Sequence, residues 1–558
     1  MVGTGLWNKG LVKNYGNTKG DRGRIHLTNE DFADQVIEYI KPSLRRHEGC
    51  DLIDIYPGAG VWSKKLHDAI RPRSHILMEP DAKLYEPFLK PLLEKPGVKV
   101  VPKSGIVWTD LNEVLTPEFL PHQVEIPRTF GPDAEPPPRN DTLLVSINLA
   151  LYPRKKFANF DSITSMVLFQ LISAVRTSSI FQKYGVVRML VWSAPEDQLR
   201  LLPQMIHRRR RAAIDTELNT EWVRKVVAPE REEDGMKLTW TRDPLMDIEI
   251  GRRVLAKMAD QGIVTPPGRE SRLMRELQAM DPNATPFIRP DVLREIQELE
   301  AQQPTQREIG GERTRLQTLT YYASWLTTRN DLKTELVREM DAISNLYAAG
   351  KQDEAQRMDA EWNARINKLN ERLIRFCLLK RDQAHIFHQD PPVLLWDQRT
   401  YEPLLSKPDD FFPNVPICLL DIQPKAPHWR LRDMGKGSSR SGDIFELVLR
   451  NLMNSWAVPV RGPLKSIWPG AAEGILPYCP SLYDPARGGS RVSGHGEVSV
   501  RALNEGQLME ILDAWMKWPF APTFPELVAR LQDENLDGDE SPGERGSERR
   551  PQHRAAGW

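Results

Sequence analysis

The chain has 558 residues, 40% of them hydrophobic and 27% charged, which excludes a single compact core and predicts two to four largely globular domains. Lys+Arg and Asp+Glu both number 76, so a uniformly basic coat of the histone or ribosomal kind is excluded, while local basic patches are not. The four cysteines, Cys50, Cys377, Cys418 and Cys479, lie far apart without a Cys-x-x-Cys pair, which argues against a disulfide scaffold and a zinc ribbon.

Residues 1–24 carry five cations (Lys9, Lys13, Lys19, Arg22, Arg24) against one acid, Asp21, with no apolar stretch of the secretory type. They read either as a basic arm or as a weak matrix-targeting segment. Phe32, Val36, Ile37 and Ile40 fall on one helix face, with Thr28 or Asn29 as cap. Residues 51–56 read as a short buried strand, broken by Pro57-Gly-Ala-Gly60 and followed by a helix over 61–70. Further strands are predicted at 74–78, 99–101, 142–147 and 186–192, with a proline-rich loop at 127–140 and a helix over 162–177. This alternation predicts an α/β fold with right-handed crossovers and a mostly parallel sheet, residues 25–246 forming that domain. No run of 18 apolar residues is present, and the chain is read as not spanning a membrane.

Strand signals become sparse from 247 to 381. Leu332, Leu336, Val337, Met340, Ile343 and Leu346 repeat at helical spacing, as do Trp362, Ile366, Leu369 and Leu373, predicting a packed helical insertion. Residues 393–396 and 417–422 read as strands returning to the sheet within 382–434. Gly435-Lys-Gly-Ser-Ser-Arg-Ser-Gly442 reads as a flexible joint. Helices over 443–456 and 504–518 define a C-terminal helical domain, 435–532, whose tryptophans read as packing residues. Residues 533–558, rich in Glu, Arg, Gly, Ser and Pro, are expected to be a disordered tail.

The sharpest motif is Asp54-Ile-Tyr-Pro-Gly-Ala-Gly60. Small residues between a strand and a helix let a ligand approach the backbone at the C-terminal edge of a sheet. Glu79 ends the next strand, where an acid can accept hydrogen bonds from ribose hydroxyls. S-adenosylmethionine, which has a ribose and an adenine but no phosphate, suits this geometry. Read without a ligand, the same residues are a glycine-rich turn closing a core strand.

Tyr15-Gly16, His26-Leu27, Asp54–Gly60 and Leu77-Met-Glu-Pro-Asp81 together resemble the rRNA adenine-N6 dimethyltransferase family, and Asn148 falls where that family carries its Asn-Leu-Pro-Tyr/Phe motif. The Asp54 motif and Lys183-Tyr-Gly-Val-Val-Arg-Met-Leu-Val-Trp192 are similar to one branch, the fungal mitochondrial RNA polymerase specificity factors. The resemblance covers residues 10 to 230, resumes weakly at 393–425 and 443–525, and leaves the insertion unaccounted for. It implies a seven-stranded Rossmann-like S-adenosylmethionine-dependent methyltransferase fold with a small helical C-terminal domain. It also implies cofactor contacts at Leu27, Tyr56 (in the place of the family's first glycine), Gly58, Gly60, Glu79 and Asn148. Lys103-Ser104-Gly105 stands where the family has an acid near the adenine amine, and Asp110 is the nearest acid.

The departures carry as much weight. The segment reads Asn148-Leu-Ala-Leu-Tyr-Pro153, with Ala150 for proline and Leu151 for the aromatic that would stack a flipped base. Tyr152 is one position late, which turns its side chain to the other face unless a bulge restores it. The expectation is a cofactor cleft preserved in outline, with Asn148 a vestigial catalytic residue and methyl transfer weak or lost.

The branch implies a transcription initiation factor of the mitochondrial matrix. Its partners would be the mitochondrial RNA polymerase and promoter DNA, including the single-stranded non-template strand. An active dimethyltransferase of the mitochondrial small-subunit rRNA and a small-molecule methyltransferase are the alternatives. Arg154, Lys155 and Lys156, beside Asn148, and the run Arg208, Arg209, Arg210 and Arg211 are expected to meet phosphates; solvated helix faces are the other reading. His385 and His388 lack the cysteine or carboxylate cluster a metal site requires, and no metal is expected.

Overall fold

A computed structural model describes residues 23–152, 156–157, 160–230, 242–281, 290–301 and 312–537. Ten strands are present among them: β1 (His26–Leu27), β2 (Asp51–Ile55), β3 (Ser74–Met78), β4 (Val98–Val101), β5 (Arg139–Asn148), β6 (Val186–Ser193), β7 (Thr220–Pro229), β8 (Leu404–Ser406), β9 (Phe411–Phe412) and β10 (Cys418–Pro424). Eight form one sheet in the order β4-β3-β2-β5-β6-β10-β7-β8. Within it β10 alone runs antiparallel, between β6 and β7. β1 and β9 pair separately. Every residue of β2 and of β6 is buried; helices cover both faces, which is why these strands read as near-continuous apolar runs.

On one face, helices Glu30–Leu44 and Val61–Ile70 bring Phe32, Val36 and Leu66 against Leu52, Leu144 and Leu190. Asn29 caps the first helix, accepting from the Phe32 amide at 3.1 Å. On the other face, helix Ile163–Thr177 packs Val167, Leu168, Leu171 and Ile172 against Ile53, Val145 and Val187. The stretch Ile163–Tyr184 is long and apolar enough by composition to cross a membrane, but here its apolar residues fill the core of the sheet.

Two sequence expectations are corrected. The predicted seven-stranded sheet has an eighth, three-residue edge strand, β8. Residues 393–396 are not a strand; the chain makes a single tight turn over Leu395–Gln398, a short apolar run that periodicity cannot distinguish from a strand. β7 carried no strand prediction at all.

Between β7 and β8 the described helices are Pro244–Asp260, Arg272–Ala279, Pro290–Ala301, Glu312–Ala348, Gln352–Asn367 and Glu371–Phe387. Leu319, Trp325, Ile343, Trp362 and Phe376 give this segment its own core. Its last helix also enters the C-terminal core through Leu379 and Ile386. There Asp382 accepts from Ser499 Oγ and Arg501 Nε, both at 2.7 Å. The C-terminal helices Ser441–Asn454, Glu505–Lys517 and Phe524–Asp537 close around Trp515.

The predicted joint at 435–442 is pinned. Gly435 N–H donates to Asp443 at 2.8 Å, and Ser439 Oγ to Asp433 at 2.7 Å. The expected tail begins as helix up to Asp537; residues 538–558 lie outside the described residues.

The candidate cofactor cleft and nucleic-acid interface

The cleft lies at the C-terminal ends of β2, β3 and β5. β2 is flanked by β3 on one side and β5 on the other, so the connections run in opposite directions from it. That is where open α/β sheets bind ligands. Immediately after β2 the backbone turns left-handed at Tyr56 (φ 58°), Gly58 (φ 58°) and Gly60 (φ 71°). Gly60 starts helix Val61–Ile70. For a tyrosine this conformation costs roughly 1–2 kcal/mol. It is held by the Tyr56 N–H bond to Met78 O (3.0 Å) and by a 2.6 Å hydrogen bond between its hydroxyl and Ser104 Oγ. Burial raises the Tyr56 hydroxyl pKa above its ordinary value. Ser104 N–H in turn donates to Asp110 at 3.3 Å, so Asp110 reaches the cleft edge only through Ser104.

Glu79 is fully buried, and four donors converge on it. Arg24 gives Nη1 to Oε1 at 2.9 Å and Nη2 to Oε2 at 2.8 Å. Gly58 N–H reaches Oε2 at 3.0 Å and Asp81 N–H reaches Oε1 at 3.1 Å. Each carboxylate oxygen therefore accepts two bonds, the capacity of its lone pairs. The Arg24 guanidinium also lies 4.9 Å from the Tyr56 ring centre and 5.4 Å from that of Tyr85. A Cβ on Gly58 would collide with His26 Nδ1 and lie 3.6 Å from Arg24 Nη2. The close approach that this glycine permits is taken by the chain's own side chains.

Leu27 lines the cleft beside His26, its backbone paired with Phe411 in β9. Trp62 closes the floor, donating to Ser146 Oγ at 3.1 Å and meeting Trp192 edge-on. The cavity beside them is lined by His26, Leu27, Tyr56, Gly60, Trp62 and Asn148. The residues expected for S-adenosylmethionine are thus brought together at Leu27, Tyr56, Gly58, Gly60 and Glu79, but as arranged they do not fit it. The ribose acid is fully bonded and the glycine loop is covered. Sequence reasoning missed Arg24, Trp62 and Tyr85 as cleft residues. Arg24 stood in a run of N-terminal cations, and nothing in its spacing tied it to Glu79.

Asn148, at the end of β5, donates Nδ2 to Ile25 O at 2.9 Å and accepts from Ala150 N–H at 3.1 Å. Ile25 N–H returns to Ala150 O at 3.0 Å, and Tyr152 N–H meets Gly23 O at 2.6 Å. Asn148, expected as a vestigial catalytic residue, braces the N-terminal strand against this loop, its amide bonded to backbone. Tyr152 is 55% exposed.

The basic runs divide. Arg154 and Lys155 lie outside the described residues, whereas Lys156 is exposed. Arg209 is fully buried, donating to Glu217 and, at 2.6 Å, to Arg501 O. Arg211 pairs with Glu446 and Asp215. The expectation of phosphate contact at Arg209 and Arg211 is corrected: both stitch the sheet domain to the C-terminal helices. Arg208 is half-buried. Arg210 is exposed, its guanidinium 3.7 Å from the Trp456 ring centre. His385 bonds the Gly488 carbonyl at 2.9 Å.

Residues 17–232 match the family model for ribosomal RNA adenine dimethylase. The chain is 23% identical over 214 residues to Mitochondrial transcription factor 1 of Saccharomyces paradoxus and 20% identical over 214 residues to the protein of that name from Saccharomyces cerevisiae. Each alignment spans 38% of this chain and 57% of the relative.

Proposed function

We propose, on the premise that residues 17–232 belong to the ribosomal RNA adenine dimethylase family, that this chain is a mitochondrial transcription initiation factor. In this reading it binds the mitochondrial RNA polymerase in the matrix, confers promoter recognition, and helps to melt the promoter and hold the displaced non-template strand. The observation that carries it is the fate of Asn148. Adenine-N6 methylation needs a flipped base held by acceptors and an aromatic. Here the Asn148 amide is bonded to Ile25 O and to Ala150 N–H, and the aromatic's position is Leu151. Two relatives named for mitochondrial transcription support the same reading.

Mechanistically, exposed cations hold backbone phosphates and exposed aromatics stack unpaired bases. Lys156 and Arg210 supply the first, with the half-buried Arg208 beside them. Tyr152 and Phe157, 55% and 47% exposed on the loop after β5, supply the second. S-adenosylmethionine has no step in this function.

The test is run-off transcription by the cognate polymerase on a duplex promoter and on the same promoter pre-melted around the start site. The factor should be required on the duplex and largely dispensable on the pre-melted template. If the polymerase is active on the pre-melted template and the protein has no effect on the duplex, the reading fails. The rRNA adenine dimethyltransferase alternative then takes its place.

A further inference from the structure

The bonds around Glu79 and Asn148 form one continuous set. Arg24 sits on Glu79 through two hydrogen bonds. Its neighbour Ile25 exchanges bonds with the loop after β5, through Asn148 Nδ2 and the Ala150 carbonyl, and Gly23 O accepts from Tyr152 N–H. His26 and Leu27 pair with Phe412 and Phe411, and His26 covers Gly58. We propose that the family's cofactor cleft is here a socket for the chain's own N-terminal strand, in which Arg24 takes the carboxylate that would meet a ribose, and that this docking positions the loop carrying Tyr152.

The chemistry favours a guanidinium over a nucleoside at this carboxylate. A buried carboxylate without a cation is costly. A planar guanidinium satisfies both oxygens in a fork geometry, with charge. A ribose offers neutral hydroxyls and must displace a tethered competitor, whose local concentration is high because only two peptide units separate it from the β1 pairing. Tyr56 fits the same account: its ring flanks the guanidinium, where a glycine would leave Arg24 without that face. Arg24 is a positioning residue, since it touches Glu79 and two rings and acts on Tyr152 only through the strand it anchors.

Two measurements test this. The first is calorimetric titration of the wild-type protein and of Arg24→Ala with S-adenosylmethionine. Wild type should show no binding at millimolar ligand, and Arg24→Ala, with Glu79 released, should acquire it. Micromolar binding by the wild type would overturn the proposal, as would a folded Arg24→Ala protein that still binds nothing.

The second is amide hydrogen exchange, which does not depend on a nucleoside. In Arg24→Ala the amides of Ile25 and Tyr152 should exchange at least tenfold faster. The Leu149 amide, bonded to Trp192 O at 2.8 Å within the sheet, should be unchanged. Unchanged protection at Ile25 and Tyr152 would overturn the positioning role. If Arg24→Ala does not fold, Leu149 will lose protection too, and the wild-type titration decides alone. Neither measurement involves transcription, so failure here is distinguishable from failure of the initiation-factor reading.

Discussion

Asn148 Nδ2 and the carbonyl oxygen of Ile25 lie 2.9 Å apart, so this side-chain amide is part of the backbone hydrogen-bond network. Restoring the surrounding residue types should not restore methylation. Ala150→Pro with Leu151→Tyr removes the Ala150 N–H that Asn148 accepts from but leaves the bond to Ile25 and the Arg24–Glu79 pair in place. Methyl transfer from S-adenosylmethionine to a small-subunit rRNA fragment should stay at background in the double variant. Measurable N6-methyladenine would favour the dimethyltransferase reading instead.

Within four residues the arginine run holds a fully buried side chain, Arg209, and an exposed one, Arg210. Arg209→Ala leaves the buried side of Glu217 without its cation and removes the bond to Arg501 O. Loss of a buried partner costs about 3–5 kcal/mol, so thermal unfolding should move down by several degrees or more. Arg210→Ala, which removes a guanidinium from the Trp456 ring, should lower the melting temperature less than Arg209→Ala does. It should weaken promoter binding and lower the slope of log K against log salt by about 1.

Tyr152→Ala tests the exposed aromatic. Stacking of an unpaired base is worth about 1–3 kcal/mol. The variant should lose roughly 5- to 150-fold in affinity for a single-stranded non-template oligonucleotide, with the melting temperature kept. The readout is fluorescence anisotropy at fixed salt; unchanged affinity would remove Tyr152 from the interface.

Acid stability should depend on Asp382. Burial alone would raise its pKa, but Arg381, Arg501 and the Ser499 hydroxyl outweigh burial and hold it at about 2. Its folded value lies below the unfolded value of about 3.9. Its contribution is therefore complete above pH ~4 and fades as pH falls toward about 2. Asp382→Asn should cost about 3–5 kcal/mol at neutral pH and distinctly less near pH 2, which denaturant titration at several pH values would show. A cost independent of pH would contradict the assignment.

In the sheet, Arg188 and Asp421 are both fully buried on neighbouring antiparallel strands, bonded at 2.7 and 2.6 Å. Burial opposes the Asp421 charge, yet Arg188 holds its pKa below the usual range. Arg188→Ala should destabilise by about 3–5 kcal/mol, whereas Arg188→Met with Asp421→Leu should lie much closer to wild type. Equal losses in the single and double variants would refute this.

Much of the α/β domain was legible because parallel strands buried on both faces leave apolar runs, as at 51–55 and 186–193. β7 was not legible: Glu221, Arg224 and Lys225 interrupt its apolar pattern, and Lys225 is buried only because the strand lies beside Trp396. Its neighbour β8 has three residues, too few for any period. The glycine loop and Glu79 could be read from spacing along one strand–turn–helix unit. Arg24 could not, because its partner is 55 residues away and a cation's counter-ion is set by tertiary contact. The split among Arg208 to Arg211 was hidden in part for the same reason: Glu446, which claims Arg211, lies 235 residues on, whereas Glu217, which claims Arg209, is only eight residues on and gave no sign by itself that Arg209 is buried.

If, as proposed, this chain starts transcription and does not methylate RNA, run-off transcription with the cognate polymerase on a linear duplex promoter should give promoter-start transcripts only when the protein is present, in the absence of S-adenosylmethionine and at a level that adding it does not change. No promoter-start transcript from a polymerase active on a pre-melted template, or a strict requirement for S-adenosylmethionine, would contradict it.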